Sequence, residues 1–229
     1  MRSLPKSVQL SEMLIREIAS GRLPDGARLP TERDMAMQHN VAVGTVRKAL
    51  SILEDKALLR RVQGSGNYVC AQTSVDSVYS FFRLELLAGG GLPTANILAL
   101  DRLTRPAEAK AFRSRFGHRI RRERYLDGIA VAIEEIWLDG AFAGRIERDA
   151  LFESLYYFYK QSFGLIIARI EDRIGVSRLP DWADDTLGVS KIDSCGFIER
   201  FGYDQQNRMS EYSRTWFDPS LAHYVNRLI

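Results

Sequence analysis

The 229-residue sequence predicts an α+β protein in two parts, and three observations predict it. Between Ser7 and Asp55, apolar residues recur at helical spacing in three short runs. From Leu58 to Cys70 a basic, glycine-tipped pair of short strands follows. Beyond residue 80 the pattern becomes strand-like with a few helices, and Asp127-Gly128 gives a strong hairpin signal. The expected organisation is residues 1–70, a linker at 71–80, and residues 81–229. The linker, AQTSVDSVYS, is polar, rich in Ser/Thr and aperiodic.

The first helix, Ser7 to Ala19, aligns Val8, Leu10, Leu14, Ile15 and Ile18 on one face. Gly21 stops it, and Pro24, Gly26 and Pro30 make a turn-rich connection. Thr31 is a good N-cap for a helix from Glu32 to His39, and Asp34 answers its free amides and dipole. Met35 and Ala36 point inward, and Asn40 ends the helix. A third helix, Ala42 to Asp55, buries Val46, Ala49, Leu50 and Leu53. That leaves Gly44, Thr45, Arg47 and Lys48 near its exposed N-terminal side. Wing strands follow at Leu58–Val62 and Asn67–Cys70, with Gly64 and Gly66 free to take φ > 0 between them. This is the layout of a winged helix-turn-helix, whose second helix fits a DNA major groove.

In the second part, Ala95 to Leu103 reads as a strand after the loop Gly89-Gly90-Gly91. Pro106 to Phe116 reads as a helix with Ala107, Ala111 and Phe112 inward. Ile120–Leu126 and Ile129–Leu138 form a hairpin around Asp127-Gly128. Ser154 to Phe163 is a helix ended by Gly164. Leu165 to Val176 is a long strand with Ile167, Arg169, Glu171 and Arg173 on one face. Trp182–Leu187 is a short helix, and Ser194–Tyr203 and Met209–Phe217 form a last hairpin. Antiparallel pairing dominates.

Charge is distributed unevenly. Residues 1–70 hold 11 Lys/Arg against 7 Asp/Glu, and residues 71–229 hold 21 against 22. The positive excess lies on the part expected to meet phosphate. Cys70 and Cys195 lack metal or disulfide spacing and suit a reducing cytoplasm. Met1 to Leu10 is polar and contains Pro5, which does not read as a signal peptide. No apolar run approaches a membrane span. His39, His118 and His223 are scattered, so no metal site or triad base is expected, nor any cofactor. No H-E-x-x-H, C-x-x-C, G-x-S-x-G or phosphate-loop motif points to catalysis.

The first 70 residues resemble the GntR family of bacterial transcription regulators. The resemblance rests on G-x-L-x-x-G-x-x-L-P-T-E-R at Gly21–Arg33, T-V-R-x-A-L at Thr45–Leu50 and G-S-G-x-x-V at Gly64–Val69. It implies that Arg33, Thr45 and Arg47 touch DNA, with Gly64 placing the wing tip near the minor groove. Gly44 and Lys48 lie beside them. One departure stands out. Ala42 and Val43 replace the family's usual Ser-Arg, so at least one polar contact per half-site is missing.

The rest resembles the UTRA ligand-sensing domain of the HutC subgroup, similar in fold to chorismate lyase. The motifs are R-x-R-Y-L-D-G at Arg122–Gly128, A-I-E-E-I-W-L at Ala132–Leu138, S-L-Y at Ser154–Tyr156, L-G-V at Leu187–Val189 and E-Y-S at Glu211–Ser213. Arg122 and Arg124, two apart on a strand, share a face and suit bidentate capture of an anion. The resemblance implies that Arg122, Arg124, Ser154 and Thr94 hold an anionic group. It also implies that Glu134 and Glu211 face the ligand's polar groups and that Tyr203 lines the pocket. The residues alone leave alternatives. Arg122 with Glu134 or Glu135 could be a cross-strand ion pair on a solvated face, and Ser154 could be an N-cap.

The expected protein is thus a cytoplasmic, homodimeric transcription regulator, a repressor that reads an inverted-repeat operator in double-stranded DNA. A small anionic metabolite, such as a phosphorylated sugar or amino sugar, releases it through the 71–80 linker. Two other readings compete: a constitutive DNA-binding dimer whose second domain only dimerises, and a lyase-like enzyme.

Overall fold

The computed structural model describes residues 4–70, 81–183 and 194–226, so the expected linker and the Leu187–Val189 motif lie outside the described residues. Two compact units emerge. Among the described residues, one comprises 4–70, 81–83 and 224–226, and the other 84–183 and 194–223. Residues 81–83 and 224–226 therefore pack with the first unit, although the sequence assigns them to the second part.

The first unit holds three helices, α1 (Lys6–Ala19), α2 (Glu32–Gln38) and α3 (Val43–Asp55). They close over Leu10, Leu14, Ile15, Ile18, Met35, Val46, Leu50 and Leu53, all buried. Thr31 caps α2 as expected. Its hydroxyl oxygen accepts the Asp34 amide at 3.2 Å, and its O–H donates to the Asp34 carboxylate at 2.6 Å. Asn40 takes φ 49° and ends the helix region. The wing pairs β1 (Leu59–Val62) with β2 (Gly66–Val69) around Gly64 at φ 75°. The polar side of α1 is also covered: Gln9, Ser11, Glu12 and Arg16 are buried, and the Arg16 guanidinium lies over the Phe82 ring.

β3 (Leu84–Leu86) of the second unit pairs with β10 (Ala222–Tyr224), whose first two residues belong to that unit. The main sheet has six antiparallel strands: β4 (Pro93–Thr104), β5 (Phe116–Leu126), β6 (Ile129–Asp139), β7 (Ile167–Ser177), β8 (Cys195–Asp204) and β9 (Met209–Phe217). Their spatial order is β4-β5-β6-β9-β8-β7. One helix, α4 (Leu155–Phe163), is capped by the Ser154 hydroxyl and ended by Gly164 at φ 63°. Asp127 and Gly128 take φ 48° and 81° in the β5–β6 turn, as their residue types predict.

Two expectations are corrected, and a third lies mostly outside the described residues. The helix from Pro106 to Phe116 is only a 3-10 turn, Ala107–Ala109. Ala107 and Ala111 are exposed, while Ala109 and Phe112 are buried. The buried Asp139 carboxylate captures the Arg113 and Ser114 amides at 2.8 and 3.1 Å, so those amides cannot continue a helix. On β7, a bulge between Ile167 and Arg169 puts Ile167 on the face opposite Arg169, Glu171 and Arg173. Around Trp182, residues 180–183 form a hydrogen-bonded turn, and the rest of that expected helix lies outside the described residues. Among the described residues no helix is long and apolar enough to cross a membrane.

Candidate functional site

The surface of the first unit presents the expected DNA-facing set. Arg33, Gly44, Arg47 and Lys48 are exposed, Thr45 is half-buried, and Gly64 stands exposed at the wing tip. Val46, Ala49, Leu50 and Leu53 anchor the opposite side of α3, which fixes which residues look outward. Ala42 is the α3 N-cap and gives no side-chain hydrogen bond, so the departure from Ser leaves α3 without a side-chain cap. Sequence reasoning missed the carboxylate that holds Arg47: Glu32 accepts from its Nε at 2.6 Å. Arg61 of the wing pairs with Glu54 at 2.9 Å and reaches Glu32 at 4.0 Å. Glu32 therefore ties α2, α3 and the wing together through two arginines. Arg28 was missed too. It bridges to Tyr68 and lies so close under Gly66 that a Cβ there would sit 3.0 Å from its Nε.

In the second unit, one face of the sheet carries a buried ionic cluster on its central strands. Alternation on β5 sets Arg122 and Arg124 on that face, and the register places Glu134 of β6 directly across from Arg122. Glu134 accepts from Arg122 Nε and, at 3.2 Å, from Arg124 Nη2. These are buried groups, with Arg122, Arg124 and Glu134 at 6%, 3% and 7% exposure, so the solvated cross-strand pair is excluded. Burial alone pushes Glu134 upward, but Arg122 and Arg124 outweigh it and hold its carboxyl below the usual range.

The N-terminus of α4 meets this cluster. Arg122 Nη1 donates to the Glu153 carbonyl at 3.1 Å, immediately before Ser154. Ser154 is the N-cap, its hydroxyl accepting from the Tyr157 amide at 3.3 Å. One residue into the helix, the Tyr156 hydroxyl donates to Glu211 at 2.9 Å. Glu211 lies on β9 opposite Leu138, on the same sheet face as Glu134. Burial pushes Glu211 up, with Tyr159, Tyr156, Arg200 and Arg122 opposing. Sequence reasoning missed Tyr156, Tyr159, and the Arg200–Asp172 pair that closes the cluster at 2.6 and 2.7 Å. Tyr156 was legible in the S-L-Y motif. The pairing of Arg200 with Asp172, 28 residues apart, was not.

Two expected members stand elsewhere. Thr94 pairs with Tyr125, one residue out of phase with Ala95–Arg124, which sets it on the opposite face from Arg124. Tyr203 is also on the opposite face, packed with Phe201, Met209 and Tyr212, and Arg169 stacks on its ring at 3.7 Å. Glu135 faces that side as well, held by Arg121 at 2.8 Å and Arg214 at 2.5 Å. A separate cavity of about 500 Å³ lies further back along β5, lined by Leu100, Arg102, His118 and Arg148 among others; the Arg122 cluster does not line it. Among the described residues, no group of His, Cys, Asp and Glu could hold a metal ion.

Comparison with known proteins agrees with this two-unit layout. Residues 6–69 match the model for bacterial regulatory proteins of the gntR family, and residues 89–222 match the UTRA domain. The chain is 48% identical over 227 residues to the HTH-type transcriptional regulator SmoD of Agrobacterium fabrum, covering 99% of this chain and 97% of that protein. It is 25% identical over 234 residues to the HTH-type transcriptional repressor NagR of Bacillus subtilis, covering 98% and 96%. The ligand-binding domain of a GntR-family regulator from Bordetella bronchiseptica superposes with a TM-score of 0.59 at 25% identity, covering 65% of this chain and 98% of that one. YydK of Bacillus subtilis shares the fold along 99% of this chain, at a TM-score of 0.56 and 20% identity. The chain therefore belongs to the gntR family of bacterial regulatory proteins: it is a DNA-binding transcription regulator, not an enzyme, and its second unit is a UTRA domain.

Proposed function

We propose that this protein is a cytoplasmic, homodimeric repressor, released from an inverted-repeat operator by a small anionic metabolite that the second unit binds. The observation that carries the reading is the convergence of Arg122 and Arg124 on Glu134 beside the N-terminus of α4. Planar guanidiniums on one buried face suit a phosphate or carboxylate, and a helix N-terminus adds free amides and a favourable dipole. In this reading the ligand anion meets Arg122, Arg124 and Ser154. Glu134 and Glu211, with Tyr156, meet hydroxyl or amino groups. Thr94 and Tyr203 take no part, because they face away. Two relatives whose names mention repression, NagR and the mannosyl-D-glycerate system repressor MngR of Escherichia coli, support the sign of control.

In the DNA-bound state, Arg33, Thr45, Arg47 and Lys48 of each copy face one half-site, and the Gly64 wing tip approaches the adjacent minor groove. Gly44 lets the backbone come close. Arg47 exchanges its Glu32 partner for DNA. The effector lowers DNA affinity by as much as it prefers the released state over the bound one.

The test is calorimetric titration with phosphorylated and unphosphorylated forms of candidate sugars and amino sugars, beside band shifts on an operator. Arg124→Ala should abolish the ligand response while operator binding persists. A ligand bound equally well without its anionic group would refute the anion seat.

A further inference from the structure

The cavity of about 500 Å³ further back along β5 has no part in the function proposed above. Its floor is a pair of strands. Arg102 of β4 lies opposite His118 of β5, and Leu100, two residues before Arg102, shares their face. Its wall is the segment 144–148, which is anchored at both ends and in the middle. His118 Nε2–H donates to the Ala143 carbonyl at 2.7 Å, Ile146 is buried, and Arg148 Nη2 donates to the Ile97 carbonyl. Cavities of about 300–1,000 Å³ suit small molecules, and Leu100 and Ile146 give this one apolar surface.

The charges around it decide which chemistry it would hold. Two carboxylates line the cavity, and each already has a cation: Asp101 meets Arg119 at 2.7 Å, and Glu147 meets Arg145 at 2.6 Å. Two further arginines line it, Arg102 and Arg148, and neither forms an ion pair among the described residues. Each is held instead by a group that orients it without neutralising it. The Arg102 guanidinium lies over the Phe116 ring at 4.7 Å. Arg148 is tethered to the Ile97 carbonyl through one nitrogen, and its other N–H groups remain for a ligand.

We propose that this cavity is a second ligand site, which takes the phosphate of a small phosphate monoester between Arg102 and Arg148 and lays the carbon body against Leu100 and Ile146. Planar guanidiniums match phosphate oxygens, and cations oriented in advance lose less entropy when they bind. The site is separate from the Arg122 seat. His118 and Arg122 are four residues apart on β5, roughly 13 Å, so one phosphate group cannot serve both.

The experiment is methyl NMR of the full chain, with the Ile146 resonance assigned by its absence in Ile146→Val. α-Glycerophosphate should shift that resonance along a saturable curve, and free glycerol should not. Arg102→Gln removes one charge-assisted contact and should weaken the binding by about tenfold or more. Arg102→Lys keeps the charge and should weaken it less. The same spectra show whether each variant is folded. The curve should persist in Arg124→Ala, which disables the first seat. An Ile146 resonance that α-glycerophosphate leaves in place overturns the site. So does a curve indifferent to Arg102→Gln, which would put the phosphate on other arginines. A curve that vanishes in a folded Arg124→Ala chain belongs to the Arg122 seat, and overturns the second site while leaving the effector reading intact.

Discussion

Glu134→Gln tests the ionic cluster most directly. The substitution keeps shape and removes the one charge on which Arg122 and Arg124 converge. All three groups are buried, so solvent does little to screen the loss. Removing one member of a buried, hydrogen-bonded charge set costs about 3–5 kcal/mol. In a unit of this size that lowers the melting temperature by roughly 6–20 °C. The effect should depend on pH with a definite sign. The folded Glu134 carboxyl titrates below its ordinary 4.5, so near that pH the folded chain binds fewer protons than the unfolded one, and stability rises with pH. The contribution is fully present above that value and disappears as pH falls through the lowered folded pKa. Differential scanning calorimetry of both proteins at neutral pH and in acid gives the comparison. Inorganic phosphate should raise the variant's melting temperature more than the wild type's, because an anion can take the vacated role between the arginines. A variant that melts within about 2 °C of wild type at neutral pH would refute the charge balance. Equal stabilisation of both proteins by phosphate would refute its taking the place of Glu134, and stabilisation of neither would refute the anion seat.

Glu211→Gln should act with the opposite sign. Burial raises the Glu211 carboxyl above its usual 4.5, so the wild type loses stability as pH rises through that raised value, and the variant should not. Melting temperature against pH checks this; parallel curves would refute it. Arg33→Ala should cost about 1–3 kcal/mol of operator affinity and relax one base position if the arginine reads guanine. Arg47→Ala should also weaken operator binding and should leave Glu32 to Arg61 alone. Band shifts at fixed salt measure both, and unchanged affinity in the two folded variants would remove them from the interface. Ala42→Ser with Val43→Arg should add an α3 N-cap of about 1 kcal/mol and steepen the salt dependence of DNA binding by about 0.9 in slope. An unchanged slope with unchanged selectivity would mean that these positions face away from DNA.

What the sequence determined by itself was what depends on neighbouring residues. Thr31 and Ser154 cap helices, Asn40 and Gly164 end helical stretches, and Asp127-Gly128 turns a hairpin, because caps and turns are settled within a few residues. Arg122 and Arg124 share a face for the same local reason, the period of two in a strand. Tertiary structure decided what depends on register. Between the adjacent carboxylates Glu134 and Glu135, strand pairing gave one to Arg122 and Arg124 and the other to Arg121 and Arg214. Thr94 and Tyr203 were misplaced because each lies one residue out of phase with the cluster, and a shift of one residue turns a side chain to the other face. The helix expected at 106–116 failed because Asp139, distant in sequence, holds the amides of Arg113 and Ser114. The Arg200–Asp172 pair and the Tyr156–Glu211 hydrogen bond join residues 28 and 55 positions apart. Local spacing encodes which chemistry a segment can offer. Only the pairing of distant strands decides which charges are buried together, because the energy of a buried charge depends on the partner within a few ångströms and not on its neighbours in the chain.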